Sequence, residues 1–178
     1  MFSQLKGTIM QVRLFVILFL AISVFSGCTK KPRPDGFPEL YPCTITIIQD
    51  GKPLVDALVR LVPDGHALQW TIAGTTDKNG VVKVITHTDY AGAPEGTFKV
   101  CVSKIEITPS QFPQPDKDAP YEEWDKWRGQ TNNEKRPKYN LVKPEYNDTA
   151  NTPHSITISK GKNNATFDVG EAIKEEIK

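Results

Sequence analysis

The chain has little cysteine and little histidine, three of each in 178 residues, and neither sign of charge prevails. His66, His87 and His154 lie far apart in sequence, and no pair has metal-ligand spacing such as H-x3-H. No G-x-S-x-G motif is present, and no Cys/His pair has nucleophile character. Asp77-Lys78-Asn79-Gly80 does not make a calcium loop, because such a loop needs its glycine at position 6 and further ligands after it. No catalytic residue, metal or cofactor is therefore expected. With 22 basic against 21 acidic side chains and no long basic stretch, nucleic acid is not an expected partner. The same balance argues against electrostatic attachment to an anionic membrane. The longest apolar run, residues 14–24, has eleven residues. A transmembrane helix needs about 20.

What that run does fit is a secretory signal: a basic residue, Arg13, then a short apolar core, then small residues. Met10 is an alternative start with a more usual basic region. The run ends in Phe25-Ser26-Gly27-Cys28, which resembles the lipobox of bacterial lipoproteins. The resemblance implies that Cys28 becomes lipid-modified and, after cleavage before it, the acylated amino terminus. Its acyl chains would anchor it in a bilayer, each buried CH2 contributing about 0.8 kcal/mol. Cleavage there removes the first 27 residues, Lys6 and Arg13 among them, and leaves 151 with 20 basic and 21 acidic side chains. That is enough chain for one real core.

Residues 28–40 read as a tether. Four prolines between Thr29 and Pro42 favour an extended chain, whose fourteen residues reach about 40 Å at about 3.1 Å per residue. Lys30, Lys31 and Arg33 are solvated there or touch lipid head groups. From Tyr41 the pattern changes to short alternating runs separated by Gly, Asp, Asn and Pro, which read as strands. Cys43, Ile45 and Ile47 share one face. Ala57, Val59 and Leu61, then Val82 and Val84, then Phe98, Val100 and Val102 repeat the rhythm. Ile156 and Ile158, then Ala165, Phe167 and Val169, close it. Seven or eight short strands with turns between them predict an all-β fold, an antiparallel β-sandwich.

Residues 105–140 interrupt the pattern. They hold five prolines, seven acidic and six basic residues without alternation, and so form an insert, functional or disordered. One helix is expected within it, capped by Asp118, running from Tyr121 to Arg128 and stopped by Gly129. Trp124 and Trp127 lie three apart and share a helix face. With Tyr121 they are candidate ligand contacts, for a glycan or an envelope protein; the plainer role is to dock the insert on the sandwich. The tail 171–178 places Ile173 and Ile177 four apart, as in one helical turn.

Several blocks together resemble the transthyretin-like, carboxypeptidase-regulatory-like domains of bacterial surface lipoproteins, of planctomycete-type organisms especially. They are Asp50-Gly51-Lys52-Pro53-Leu54, the strand from Ala57 to Pro63, Gly74 through Gly80, Gly92-Ala93-Pro94-Glu95-Gly96 with the strand after it, Pro144-Glu145-Tyr146, and Lys162 to Val169. The match covers residues 41–169 with the insert outside it. The resemblance implies a prealbumin-type sandwich at the cell envelope, lipid-anchored at the outer membrane or cell surface, with a non-catalytic binding or structural role. One enzyme branch of that fold opens hydroxyisourate with a terminal Tyr-Arg-Gly-Ser. This chain reads Lys174-Glu175-Glu176-Ile177-Lys178 there, so that activity is not expected. Cys43 and Cys101 would sit in an oxidising compartment, where a disulfide is possible. Alternation puts their side chains on opposed faces unless a bulge shifts one register.

Overall fold

The computed structural model of the chain describes residues 32–65 and 69–177. The chain divides into two units, Met1–Phe37 and Pro38–Lys178. In the described part of the first, the Phe37 amide donates to the Pro34 carbonyl at 3.1 Å, closing a turn over Asp35 and Gly36. His66 and Cys28 lie outside the described residues.

The second unit is an all-β sandwich with one helix. Its strands are β1 (Cys43–Gln49), β2 (Lys52–Pro53), β3 (Leu58–Pro63), β4 (Ile72–Thr75), β5 (Val81–Lys83), β6 (Ile85–Thr86), β7 (Tyr90–Ala91), β8 (Gly96–Ser103), β9 (Ile105–Ile107), β10 (Lys138–Asn140), β11 (Ser155–Ile158), β12 (Asn163–Asp168) and β13 (Glu175–Glu176). The helix α1 spans Tyr121–Asn132. One sheet has the order β11-β8-β3-β4-β6-β7, and the other has β12-β1-β2 with β5 also on β1. Pairing is antiparallel except between β1 and β12, which run parallel from Cys43 opposite Asn163 to Ile48 opposite Asp168.

Alternation decides which side chains meet between the sheets. β1 buries Cys43, Ile45, Ile47 and Gln49 and leaves the residues between them half-covered. Opposite lie Val59, Leu61, Ile72, Phe98, Val100, Val102, Ile156 and Ile158, and the whole set forms one core. Asp50 and Gly51 both have positive φ, the two-residue turn that matches strand twist, so β1 returns directly as β2. The Asp77–Gly80 turn has a different task. Asp77 Oδ1 accepts the amides of Asn79 at 2.8 Å and Val81 at 2.9 Å, and the chain crosses there from β4 in one sheet to β5 in the other. Gly80 has φ +71°, and a Cβ would lie 2.6 Å from the Ile47 carbonyl, so only glycine fits.

Three local expectations change. The helix runs through Gly129 to Asn132, because an interior glycine costs only about 1 kcal/mol against alanine. Its N-cap is Pro120, without a side-chain cap. Asp118 instead gives its amide to Asp116 Oδ1. The tail forms strand β13 on β10 rather than a helical turn, since one isolated turn is not stable and the open edge of β10 offers hydrogen bonds. Strand β4 begins at Ile72, while Trp70 sits before it with its ring edge-on to His87 at 4.8 Å.

Candidate binding site

Two ends of the sandwich differ. At one end, Tyr41 exchanges backbone hydrogen bonds with Ala93 just before β1 begins, close to where β8 begins at Gly96 opposite Ile158. At the other end β8 finishes at Ser103 opposite Leu58, and the insert leaves there. The insert's return is fixed at the same end, where Gln49 Nε2 donates to the Leu141 carbonyl at 2.9 Å. The eight residues of β8 separate the two ends by about 25 Å.

The insert is built as a small sheet with a loop and helix above it. β9 pairs with β10, Ile105 opposite Asn140 and Ile107 opposite Lys138, and β10 pairs with β13. On one face the register gathers Ile105 and Ile107, 52% and 46% exposed. On the other, Lys174 Nζ donates to Glu106 Oε1 at 2.7 Å and lies 4.8 Å from the Tyr139 ring centre. The hydrogen bond to Glu106 raises the Lys174 pKa. The loop is clamped by Glu134, which accepts from Ser110 Oγ at 2.6 Å and the Gln111 amide at 2.8 Å. These bonds, with the Arg136 charge, hold the Glu134 carboxyl below its usual pKa.

Between the end of α1 and this sheet lies an open groove of about 750 Å3, with Ile107, Pro137 and Ile177 apolar and Lys135, Arg136 and Lys138 basic along it. Among the described residues no three His, Cys, Asp or Glu side chains gather as a metal site.

The aromatic trio is on α1, which buries no residue. Trp124 and Trp127 pack edge to face, 5.9 Å apart at 83°, so they do not offer one flat surface. Trp127 Nε1 donates to the Phe112 carbonyl at 3.2 Å, which ties the helix to the insert's own loop. Tyr121 is 69% exposed, with the Arg128 guanidinium 5.1 Å from its ring centre.

Both described cysteines are free and buried. Cys43 belongs to the core, and burial pushes its thiol up to about 11. Cys101 lies on the outer face of β8, its Sγ 3.7 Å from Thr149 Oγ1. The cover over that face was not legible as such in the sequence. It is the 3-10 turn Pro144–Asn147 and the segment after it. Arg60 Nη2 donates to Asn147 Oδ1 at 2.8 Å, and Thr152 Oγ1 donates to the Val100 carbonyl at 2.8 Å. His154 is half-buried between the Tyr146 ring at 5.3 Å and the Phe167 ring at 4.9 Å. His87 is exposed. No helix among the described residues is long and apolar enough to cross a membrane.

No family model matches the chain, and no curated protein matches it. Among solved structures it is similar to the major pilin subunit of Bacillus cereus, BcpA, at 16% identity and a TM-score of 0.39. The alignment covers 80% of this chain and 31% of the pilin, so the chain spans about a third of that protein's length. At that TM-score the likeness carries no functional inference.

Proposed function

We propose that the chain is a lipid-anchored protein of the cell envelope, in which a transthyretin-like sandwich carries a non-catalytic binding module at the end away from its tether. The observation that carries the reading is the placement of Tyr41 and the insert at opposite ends of β8. In this reading the groove of Ile107, Lys138 and Ile177, at the end of β8 away from Tyr41, is the surface that meets the partner. The Phe25-Ser26-Gly27-Cys28 motif supplies the anchor in this reading, and the partner is another envelope protein or a glycan.

The intact mass of the protein from its native envelope tests the anchor. An amino-terminal Cys28 carrying diacylglyceryl and acyl groups is expected, with Cys28→Ala losing both the modification and retention of the processed protein in the membrane fraction. An unmodified thiol on a freely diffusing product overturns the reading. The glycan version rests on Tyr121, Trp124 and Trp127. It falls if glycan-array binding survives Trp124→Ala combined with Trp127→Ala.

A further inference from the structure

We propose that a cavity beside the tether junction seats the head group of an anionic phospholipid from the same membrane that holds Cys28; this rests on the anchored reading above. The cavity has a volume of about 510 Å3 and opens at Pro42, the point where the tether passes into β1. Cys43 and Val84, both buried in the core, give it an apolar floor, and Lys83 and Lys162 reach its rim from separate elements.

Charge selects the occupant. No Asp or Glu lines this cavity. Both lysines are exposed, and among the described residues neither is in an ion pair within 4 Å. The acidic groups of this end, Glu39 and Glu95, act on the Tyr41 hydroxyl, whose pKa is raised first by desolvation and then by them. They do not line the cavity. Lys83 also feels the Asp77 carboxylate, but only at longer range, so the near-neutral balance of the whole chain conceals a local site of two cations with no direct ion pair.

Chain length selects the source. Thirteen residue steps separate Cys28 from Tyr41, about 40 Å at most when extended as polyproline. A body on so short a leash meets head groups at high effective concentration, and each lysine near an anionic surface adds attraction. A phosphodiester with a glycerol and the start of an acyl chain matches two ammonium groups above an apolar floor better than free phosphate does.

The test uses a soluble short-chain lipid, so that it does not depend on the anchor. The protein is purified from its envelope with whatever amino terminus mass spectrometry finds on it, and that mass judges the anchored reading separately. Dihexanoyl phosphatidylglycerol, dihexanoyl phosphatidylcholine and inorganic phosphate are titrated separately while amide shifts are followed. Saturable shifts at Thr44, Lys83, Gly92 and Asn164 are expected with phosphatidylglycerol and much weaker ones with the other two. Lys83→Gln and Lys162→Gln, at exposed positions, should each weaken phosphatidylglycerol binding roughly fivefold. Equal response to phosphatidylcholine, equal response to phosphate, no saturation with phosphatidylglycerol, or unchanged affinity in the double variant would each overturn the proposal.

Discussion

Tyr41 and Ala93 exchange two backbone hydrogen bonds, Tyr41 donating at 2.8 Å and Ala93 at 3.0 Å, and this bridge stitches the start of the folded body to the loop before β8. Gly92 makes the approach possible. Its φ is +104°, and a Cβ there would lie 2.5 Å from the Tyr41 carbonyl oxygen. The loop is held from the other side as well, where Thr86 Oγ1 donates to the Gly92 carbonyl at 2.7 Å.

Gly92→Ala should therefore strain both backbone and contact, at a cost of about 2 kcal/mol or more. Urea unfolding reads the loss, and hydrogen exchange at the Tyr41 and Ala93 amides reads the opened bridge. Gly161→Ala is the control, with φ +102° but nothing within 4 Å of the added Cβ, and should cost less. Equal costs would mean that the close approach to Tyr41 contributes nothing.

A second position concentrates buried polar satisfaction. Thr76 Oγ1 donates to the Leu54 carbonyl at 2.6 Å and accepts the Ala57 amide at 2.9 Å. Thr76→Val keeps the shape and orphans both backbone groups, and unsatisfied buried groups cost about 1–3 kcal/mol each. The expected loss is about 2–4 kcal/mol by urea unfolding. Thr76→Ser retains the hydroxyl and should lose about 1 kcal/mol, for the missing methyl. If serine and valine destabilise equally, the hydroxyl is not what holds this corner.

Much of the sandwich could be read from alternation, because a two-residue period and one buried face leave little freedom: Cys43, Ile45 and Ile47 point inward as their spacing requires. The turn chemistry of Asp50-Gly51 and Asp77-Gly80 was equally legible. The insert was not. β9, β10 and β13 have two or three residues each, too few for a period to show, and β13 exists only because β10 offers an edge far away in sequence. The cover of His154 is hidden for a similar reason. Its covering rings, Tyr146 and Phe167, come from either side of it in sequence, and no local pattern announces them. The groove and the lysine-rimmed cavity are likewise products of topology.

The thiols give a direct count. Cys43 and Cys101 are buried and unbridged, and the Cys43 thiol is pushed up to about 11 by burial. The folded protein at pH 8 should react with neither at an appreciable rate under a neutral aromatic disulfide reagent. In concentrated guanidinium both should react, giving two equivalents from an acylated chain and three if Cys28 is free. A count of zero from the acylated, unreduced protein would show that the pair is bonded.

Acid should loosen the insert through Glu134. Its folded pKa lies below the usual 4.5, chiefly because Ser110 and Gln111 donate to it and then because Arg136 is near. For a carboxyl with a depressed folded pKa, the contribution is present above the unfolded value and is lost as pH falls through the folded one. The window is thus below pH 4.5. Asp77 is depressed in the same way by the Val81 and Asn79 amides, but it acts on the turn between the sheets, so the two effects separate by where they are read. The Gln111 amide should report the insert, and the Val81 amide the turn. Glu134→Gln should abolish the acid response at Gln111 and leave that at Val81 intact, while Asp77→Asn should do the reverse. A single transition, seen equally by both amides in both variants, would mean that the insert and the sandwich unfold as one body and that the Glu134 clamp has no separate role.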